Sequence, residues 1–221
     1  MIIINIYEAD EFKKMLSVAL KLNNKKIFKC SFNLNKQRMK WEFSNYTFKF
    51  NTSIFEYPKF IYDYYTFDIM MFQDLIQPLS EFSLKIDLDL NKIIINEIEI
   101  SLFKLDINDE PPMELKYENK AIIDSKLFSK INCEYSPYLY LIHTKLYLIL
   151  LFKYGTEFIN RSTRISNDKF NKNFKTIINS DIVSMLQNLN NNKLKIYTDN
   201  INGIKFKYIT NDFNFQLFLN N

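Results

Sequence analysis

A stretch that occurs twice in the chain constrains its fold more than any other feature of the sequence. Residues 67–82 (FDIMMFQDLIQPLSEF) align without a gap on residues 174–189 (FKTIINSDIVSMLQNL). Each copy predicts a short apolar strand, then a polar residue and an aspartate in the first helical turn (Asp74 or Asp181), then an amphipathic helix of about ten residues. The aspartate suits that position because a carboxylate interacts favourably with the free N–H groups and the positive dipole end of a helix.

The residues that follow the two copies also resemble each other. The segment 83–88 (SLKIDL) matches the segment 193–198 (KLKIYT), and both alternate like a half-buried strand. Another apolar strand begins after each of them, at Ile93 and at Ile204. Self-similarity on this scale indicates a duplicated unit. The alternative is a chance similarity between two amphipathic helices.

Composition narrows the fold class and excludes some functions. The 221 residues suffice for one large domain or for two of about 110 residues, and either can bury a core. There are 21 Phe and 14 Tyr but only 2 Gly. Abundant aromatic and β-branched residues favour strands, whereas phosphate-binding loops of the P-loop or Rossmann kind need several glycines at fixed spacing. The net charge of +4 permits nucleic-acid binding without requiring it.

The sequence also indicates where the protein functions. It has no apolar run long enough to span a membrane, and its start, MIIINIYEADEF, lacks the basic region of a signal peptide. Cys30 and Cys133 are far apart and lie among apolar residues, so we expect buried free thiols in a reducing compartment rather than a disulfide or a metal site. We therefore expect a soluble intracellular protein.

In the first half of the chain the periodicity predicts the element order β-α-β-β-β-α-β-β. An apolar stripe predicts a helix over 9–22. Pro78 falls inside the second predicted helix, so that helix should be short, kinked or begin later. Alternation predicts strands at 2–6, 28–34, 39–43, 46–50, 83–90 and 92–103.

The second half repeats this order after a linker. Residues 104–119 are acidic, contain Pro111-Pro112 and lack periodicity. Beyond them we predict a strand at 121–123, a short helix at 126–131 capped by Asp124 or Ser125, a hairpin over 139–152 and a strand at 157–164. The prediction is an α+β fold with two tandem similar domains, each an antiparallel sheet with two helices on one face. The domains are 1–103 and 120–221, and 104–119 is the interdomain connector.

The C-terminal part resembles a known family. Its segments NSDIVSMLQNL, KLKIYTD, GIKFKYI and DFNFQLFL are similar to the close of DNA sliding clamps of the PCNA type, and the order of elements resembles these clamps along nearly the whole chain. The resemblance implies a head-to-tail homotrimer that closes into a ring of six domains, with helices lining the hole. At about 110 residues per domain, the chain is shorter than typical cellular clamps and nearer in length to viral or phage ones.

The same resemblance implies a function and its partners. A sliding clamp encircles double-stranded DNA without sequence preference and tethers a DNA polymerase, a clamp loader or other clamp-binding peptides, and in some viral systems the transcription machinery. Such a clamp needs only weak phosphate contacts from Lys and Arg. The DNA-facing candidates on the first and third predicted helices and just beyond them are Lys13, Lys14, Lys21, Lys25, Lys126 and Lys130. The alternative for all of them is an ordinary solvated helix face.

Clamps dock partner peptides in an apolar pocket between the connector and the C-terminus. By position, the candidate partner-binding residues are Met113, Leu115, Phe218 and Leu219. The alternative is a plain solvated linker.

Catalysis is not expected. His143 is the single histidine, and its neighbours Tyr140 to Ile142 are apolar, so a packed or hydrogen-bonded residue is favoured over a general base. The carboxylate pairs Asp87/Asp89 and Glu97/Glu99 are explained by solvent-facing strand positions. We therefore predict no catalytic residue, no metal and no cofactor. Two alternatives to a ring-forming clamp remain: a β-rich interaction or structural protein without enzymatic activity, and a monomeric clamp-like processivity factor.

Overall fold

A computed structural model of the chain describes most of its residues. The described residues are 1–22, 29–33, 38–42, 46–51, 53–54, 64–105, 115–129, 131, 138–154, 156–187, 189 and 193–219. The helices among them are α1 (Ala9–Leu22), α2 (Ile69–Ile76) and α3 (Ser180–Gln187), and a 3₁₀ turn spans Ser125–Phe128. Within this part of the chain, no helix is long and apolar enough to cross a membrane.

The strands carry most of the architecture. They are β1 (Ile2–Ile6), β2 (Lys29–Asn33), β3 (Arg38–Glu42), β4 (Tyr46–Asn51), β5 (Ser53–Ile54), β6 (Tyr64–Thr66), β7 (Phe82–Asp87), β8 (Lys92–Ile95), β9 (Ile98–Ser101), β10 (Phe103–Leu105), β11 (Asn119–Asp124), β12 (Tyr138–His143), β13 (Tyr147–Tyr154), β14 (Glu157–Arg164), β15 (Ser166–Lys169), β16 (Phe174–Asn179), β17 (Lys193–Asp199), β18 (Gly203–Ile209) and β19 (Phe213–Leu219).

The chain forms two compact units. Unit 1 comprises Met1–Pro112 with Thr210–Phe215, and unit 2 comprises Met113–Ile209 with Gln216–Asn221. Most of the predicted connector, 104–119, lies outside the described residues, so the predicted domain boundaries stay a prediction.

The two units repeat one strand order. Unit 1 has a sheet with the order β5-β1-β7-β8-β9 and a second run of strands, β6-β2-β3-β4, with β10 beyond β6. Unit 2 has the order β15-β11-β17-β18, followed by residues 216–219 of the last strand, and a separate sheet with the order β16-β12-β13-β14. Each described strand of unit 2 therefore has a counterpart at the same place in unit 1, as expected for a duplicated unit, whereas β10 of unit 1 has none among the described residues.

The core of unit 1 is aromatic. Phe12 of α1 lies with its ring centroid 5.3 Å from that of Phe48 and 6.4 Å from that of Phe72 on α2. Trp41 packs edge-on against Phe50 at 4.9 Å and against Phe72 at 5.2 Å. All five side chains are fully buried. Edge-to-face pairs of this kind contribute about 0.5–1.5 kcal/mol each beyond the burial of their area.

The helix in the first copy of the repeat begins earlier than predicted. The carboxylate of Asp68 accepts hydrogen bonds from the backbone N–H groups of Met70 and Met71 at 3.0 and 2.9 Å, so Asp68 is the N-cap of α2. The short strand predicted at the start of this copy is therefore wrong, since α2 begins at Ile69, and Asp74 does not lie in the first turn. Asp68 and Asp74 are both residues that favour a helix start. Only the backbone geometry shows that Asp68 is the N-cap.

The end of α2 agrees with the sequence. The helix ends at Ile76 with Gln77 as its C-cap, directly before Pro78. Proline has no N–H for the helical ladder, and its ring collides with the carbonyl of the preceding turn. Of the three predicted effects of Pro78, a short, a kinked or a later helix, the structure shows the short one, with 8 residues in α2.

In the second copy the predicted order is confirmed, but the alignment of the copies is not. β16 is followed by α3 with Asp181 in its first turn, and the side-chain oxygen of Asn179 accepts from the N–H of Ile182 at 3.1 Å. The equivalent caps, Asp68 and Asn179, are 111 residues apart, whereas the ungapped alignment joins residues 107 apart. The error of four residues is close to one helical turn, so the apolar stripes match in either alignment.

Two further elements differ from their predictions. The expected helix at 126–131 is the shorter 3₁₀ turn, although its predicted cap is confirmed, since Asp124 accepts from the N–H of Lys126 at 2.8 Å. The expected strand at 92–103 is a hairpin of β8 and β9 followed by β10. The hairpin turn has positive φ at Asn96 (46°) and Glu97 (71°), as a type I′ turn requires. Cys133 lies outside the described residues, so its predicted burial stays a prediction.

Candidate DNA-facing and partner-binding surfaces

The ammonium group of Lys13 is bound within unit 1. Its Nζ donates to the backbone oxygens of Gln77 and Leu79 at 3.2 and 2.9 Å and forms an ion pair with Asp10 at 2.8 Å. Only 15% of the Lys13 side chain is exposed. The hydrogen bond and charge of Lys13 lower the pKa of the exposed Asp10 carboxyl. Lys13 thus places a cation on the free carbonyls at the end of α2, where a helix favours positive charge.

The structure describes only some of the other lysines predicted to face DNA. Lys14 on α1 and Lys126 on the 3₁₀ turn are exposed, so their ammonium groups are accessible to a phosphate. For Lys21 the structure describes the backbone within α1 but not the side chain, and Lys25 and Lys130 lie outside the described residues. The DNA-facing role of all six stays a prediction.

The repeated helices present polar, sulfur-containing and acidic groups to solvent. On α2 the exposed side chains include Met70, Met71 and Asp74, and on α3 they include Asp181 and Ser184. Neither helix contains a lysine or arginine. The surfaces of α2 and α3 therefore carry acidic groups and no basic ones.

A cation lies among aromatic rings next to two of the predicted partner-binding residues. The Nζ of Lys205 on β18 is 4.7 Å from the ring centroid of Tyr117, 4.3 Å from that of Tyr197 and 5.9 Å from that of Phe218. The rings of Tyr117 and Tyr197 are themselves 6.0 Å apart. We call these four residues the Lys205 cage. It joins the residues that precede β11 to the last strand of unit 2, which the sequence did not predict.

The phenol of Tyr117 is an unusual member of the cage. Its ring is buried, and its hydroxyl has no hydrogen-bond partner among the described residues. Burial, and secondarily the charge of Asp199, raises the pKa of Tyr117 to about 12. Next to it Leu115 is exposed, and Leu219 at the other end of the cage is half-buried. Met113 lies outside the described residues. The cage therefore combines aromatic rings with one cation, Lys205, at the described end of the connector segment.

His143 is buried in a relay of hydrogen bonds in unit 2. Its Nε2 lies 3.1 Å from Asn167 Oδ1 and its Nδ1 3.0 Å from Thr198 Oγ1, which also accepts from Asn119 Nδ2 at 3.1 Å. The amide nitrogen of Asn167 donates to the carbonyl of Lys145, which makes Oδ1 the acceptor for an Nε2–H. The neutral imidazole is fully satisfied, and burial lowers its pKa. The prediction of a packed, hydrogen-bonded His143 is confirmed.

Two of the paired carboxylates, Asp87 and Glu99, have structural contacts. Asp87 Oδ1 accepts from the N–H groups of Asp89 and Leu90, both at 3.1 Å, and so closes the turn before β8. Glu99 forms an ion pair with Lys92 at 2.6 Å. In the part of the chain that the structure describes, no group of three or more His, Cys, Asp or Glu residues could hold a metal ion.

Comparison with a solved structure shows which known fold this chain resembles. The chain matches the crystal structure of the PCNA from Thermococcus kodakaraensis with a TM-score of 0.68, and the match covers 100% of both chains. The fold is that of a PCNA-type clamp. The clamp fold confirms the predicted α+β class with mostly antiparallel sheets. Sequence identity over the match is 12%. No model of a known protein family and no curated protein matches the sequence.

Sequence reasoning missed two sets of contacts: those of Asp212 at the start of α1, and the Lys205 cage. Asp212 accepts from the backbone N–H groups of Tyr7 and Glu8 at 2.6 and 2.7 Å, ahead of α1, from a position more than 200 residues away in the chain. Lys205 and Tyr117 are likewise distant in sequence. No local pattern marks such residues, because a cap or a cation–π contact supplied by a remote segment leaves no periodic signal.

Proposed function

We propose that this protein is a non-catalytic DNA sliding clamp. Copies of the chain associate head to tail into a closed homotrimer that encircles duplex DNA and tethers replication or transcription proteins to it. The observation that carries the proposal is the clamp fold over the whole chain, in which the two units repeat one strand order.

The strand order also supports a specific junction between copies. In unit 1, residues 213–215 of the last strand lie beside β4, with the rings of Phe48 and Phe215 4.9 Å apart. β14 is the counterpart of β4, and β9 is the counterpart of that last strand. Both end their sheets among the described residues. Pairing β9 of one copy with β14 of the next repeats the pairing of the last strand with β4 and covers two exposed edges.

The charge distribution supports weak, mobile contacts with DNA. Lys14 and Lys126 are exposed on helical elements, while α2 and α3 lack basic residues. A ring holds DNA by enclosure, so a few screened phosphate contacts suffice and sliding is not hindered. Partner proteins such as a polymerase or a clamp loader dock by apolar anchors at the surface formed by Leu115, Phe218 and Leu219 with the Lys205 cage.

The decisive experiment tests enclosure rather than affinity. The protein is dissociated by dilution, reassembled in the presence of a nicked circular plasmid, and passed over a sizing column in high salt. We expect it to co-elute with the circle and to be lost once the plasmid is linearised, because a ring slides off free ends. Light scattering across a concentration series runs in parallel, with an expected mass of three times 26.7 kDa.

Two results would contradict the proposal. Equal retention on circular and linear DNA means that binding is electrostatic, without enclosure. A strict monomer at high concentration rejects the ring; salt-sensitive DNA binding by that monomer then favours the monomeric clamp-like factor, and no DNA binding favours the interaction protein.

A further inference from the structure

The sheet β16-β12-β13-β14 of unit 2 has an apolar face directed away from its core. The inward face of β12 and β13 carries Leu139, Leu141, Leu150 and Phe152, which are buried. The opposite positions form what we call the outer sheet face: Tyr138, Tyr140, Ile142, Tyr147, Ile149, Leu151, Lys153, Phe158, Asn160, Ser162, Arg164, Lys175, Ile177 and Asn179. An antiparallel sheet usually turns a polar face to solvent, whereas eight of these fourteen positions are aliphatic or aromatic.

The centre of the outer sheet face is mostly aliphatic and partly exposed, with Tyr140, Ile142, Ile149 and Leu151 half-buried. The strand register places Ile177 beside Tyr140 and Tyr140 beside Leu151, and it places Ile142 beside Ile149 in the adjacent row. Ile177 is 54% exposed. Contiguous exposed apolar surface on a soluble domain marks an interaction site.

The rim of the same face carries charge of one sign. Its ionisable groups, apart from tyrosine phenols, are Lys153, Arg164 and Lys175, and no position on the face is acidic. The ammonium of Lys175 lies 4.7 Å from the centroid of the Tyr140 ring, at the boundary between the apolar centre and the rim. Electrostatic complementarity to this rim requires a partner with carboxylates flanking an apolar stripe.

The chemistry at the centre distinguishes a peptide from a nucleic acid. Bases bind sheet surfaces by stacking on aromatic rings. Four of the five central side chains here, Ile142, Ile149, Leu151 and Ile177, have no π face. The fifth, Tyr140, has the ammonium of Lys175 over its ring. The most exposed rings, Tyr138 (64%) and Phe158 (63%), lie in an outer row. Aliphatic side chains instead bury apolar peptide side chains, and an amphipathic helix presents these as one stripe.

We propose that the outer sheet face docks an acidic amphipathic helix of a partner protein. The apolar side of the helix covers Ile142, Ile149, Leu151 and Ile177, and its glutamates or aspartates lie against Lys175, Lys153 and Arg164. This surface shares no residue with the Lys205 cage or the helix lysines. It therefore gives the protein a second partner site whether or not a ring forms.

The test uses defined probes with the full-length chain. A fluorescent helical peptide of about 18 residues, five turns long, carries leucines along one side and glutamates elsewhere. Its comparators are the same peptide with lysines in place of the glutamates, and a short single-stranded oligo-dT. Fluorescence anisotropy measures binding, and we expect the glutamate peptide alone to bind, with an affinity that falls as salt rises.

Two matched pairs of variants locate the site. Ile177→Asp should weaken the glutamate peptide by at least about tenfold, whereas Ile201→Asp, in the exposed turn before β18, should leave it unchanged. Lys175→Glu should weaken it several-fold, and Lys145→Glu, in the turn between β12 and β13, should not. All four positions are exposed, and thermal melts confirm that each variant folds.

Three outcomes overturn the proposal. In the first, the lysine peptide binds as well as the glutamate peptide, or neither binds. In the second, oligo-dT binds and Ile177→Asp abolishes its binding, which assigns the face to single-stranded nucleic acid. In the third, Ile177→Asp changes only the mass of the protein in light scattering, which assigns the face to a second copy of the chain.

Discussion

At the scale of single residues, His143 shows how burial removes a group from chemistry. The neutral imidazole donates from Nε2 to Asn167 and accepts at Nδ1 from the hydroxyl of Thr198. Thr198 Oγ1 in turn accepts from the amide of Asn119. A proton on Nδ1 makes that nitrogen a donor toward Thr198 Oγ1, so the threonine hydroxyl loses its acceptor. The structure therefore stabilises the neutral form, and the lowered pKa follows from burial.

The first prediction is a pH dependence of stability. The unfolded chain binds a proton at His143 near pH 6.5, while the folded chain binds it only at lower pH. The unfolded state thus binds more protons in this window, and the free energy of unfolding falls as pH falls below 6.5 until the folded pKa is reached. Urea melts of the wild type and of His143→Gln measure this.

His143 is the only histidine of the chain, so few other groups titrate in the same window. The variant should lose most of the slope between pH about 7 and about 5.5. Equal slopes in the two proteins would show that His143 is solvated in the fold.

The second prediction concerns the Lys205 cage. Lys205→Met keeps the aliphatic stem but removes the cation from Tyr117, Tyr197 and Phe218, and it should lower the free energy of unfolding by about 0.5–2 kcal/mol. Lys205→Arg, which retains the cation, should lose less. Chemical denaturation measures both. If Lys205→Met is as stable as the wild type, the rings bind the stem and not the charge.

At the scale of elements, the start of α2 can be tested at the two aspartates, Asp68 and Asp74, that the sequence offers for it. Asp68→Ala removes the acceptor for the N–H groups of Met70 and Met71 and should cost about 1 kcal/mol. Asp74→Ala is the matched control, since Asp74 is exposed within the helix, and it should change stability by less than about 0.5 kcal/mol. Urea melts at neutral pH compare them. The opposite ranking would place the helix start where the sequence pattern placed it.

Lys13 illustrates a second limit at this scale. A lysine on a helix face is equally compatible with binding a DNA phosphate and with binding the carbonyls at the end of another helix. Either role needs only an ammonium group at the end of a long side chain. In the structure the Lys13 ammonium binds the carbonyls of Gln77 and Leu79 at the neighbouring helix end, and its contact with DNA stays a prediction. No period in the sequence of α1 reports where α2 ends.

At the scale of the whole molecule, the proposed ring makes the exposed edge of unit 1 a site for association. Ile98 on β9 is exposed at that edge, and Leu90, in the turn before β8, is exposed away from it. Ile98→Asp should shift the mass in light scattering toward the monomer by raising the dissociation constant about tenfold or more. Leu90→Asp should leave the mass unchanged. Equal masses for both variants would exclude β9 from the junction.

Several features of the fold followed from the sequence by itself. The α+β class, the duplication, the strand at β14, the hairpin of β12 and β13, a cap at Asp124 or Ser125, and a disturbance of α2 by Pro78 are all predicted from it. Each depends on a local rule: alternation for a half-buried strand, a capping carboxylate, or a missing N–H. The packed role of His143 followed from its apolar neighbours.

Only the tertiary structure decided the rest. The register of the repeat was ambiguous by one turn, because a shift of four residues preserves an apolar helical stripe. The Asp212 contacts, the Lys205 cage and the capping role of Lys13 each join residues far apart in the chain. Such contacts arise when packed strands and helices place remote side chains at one point. Local periodicity encodes which face of an element is buried, but it does not encode which distant residue meets it there.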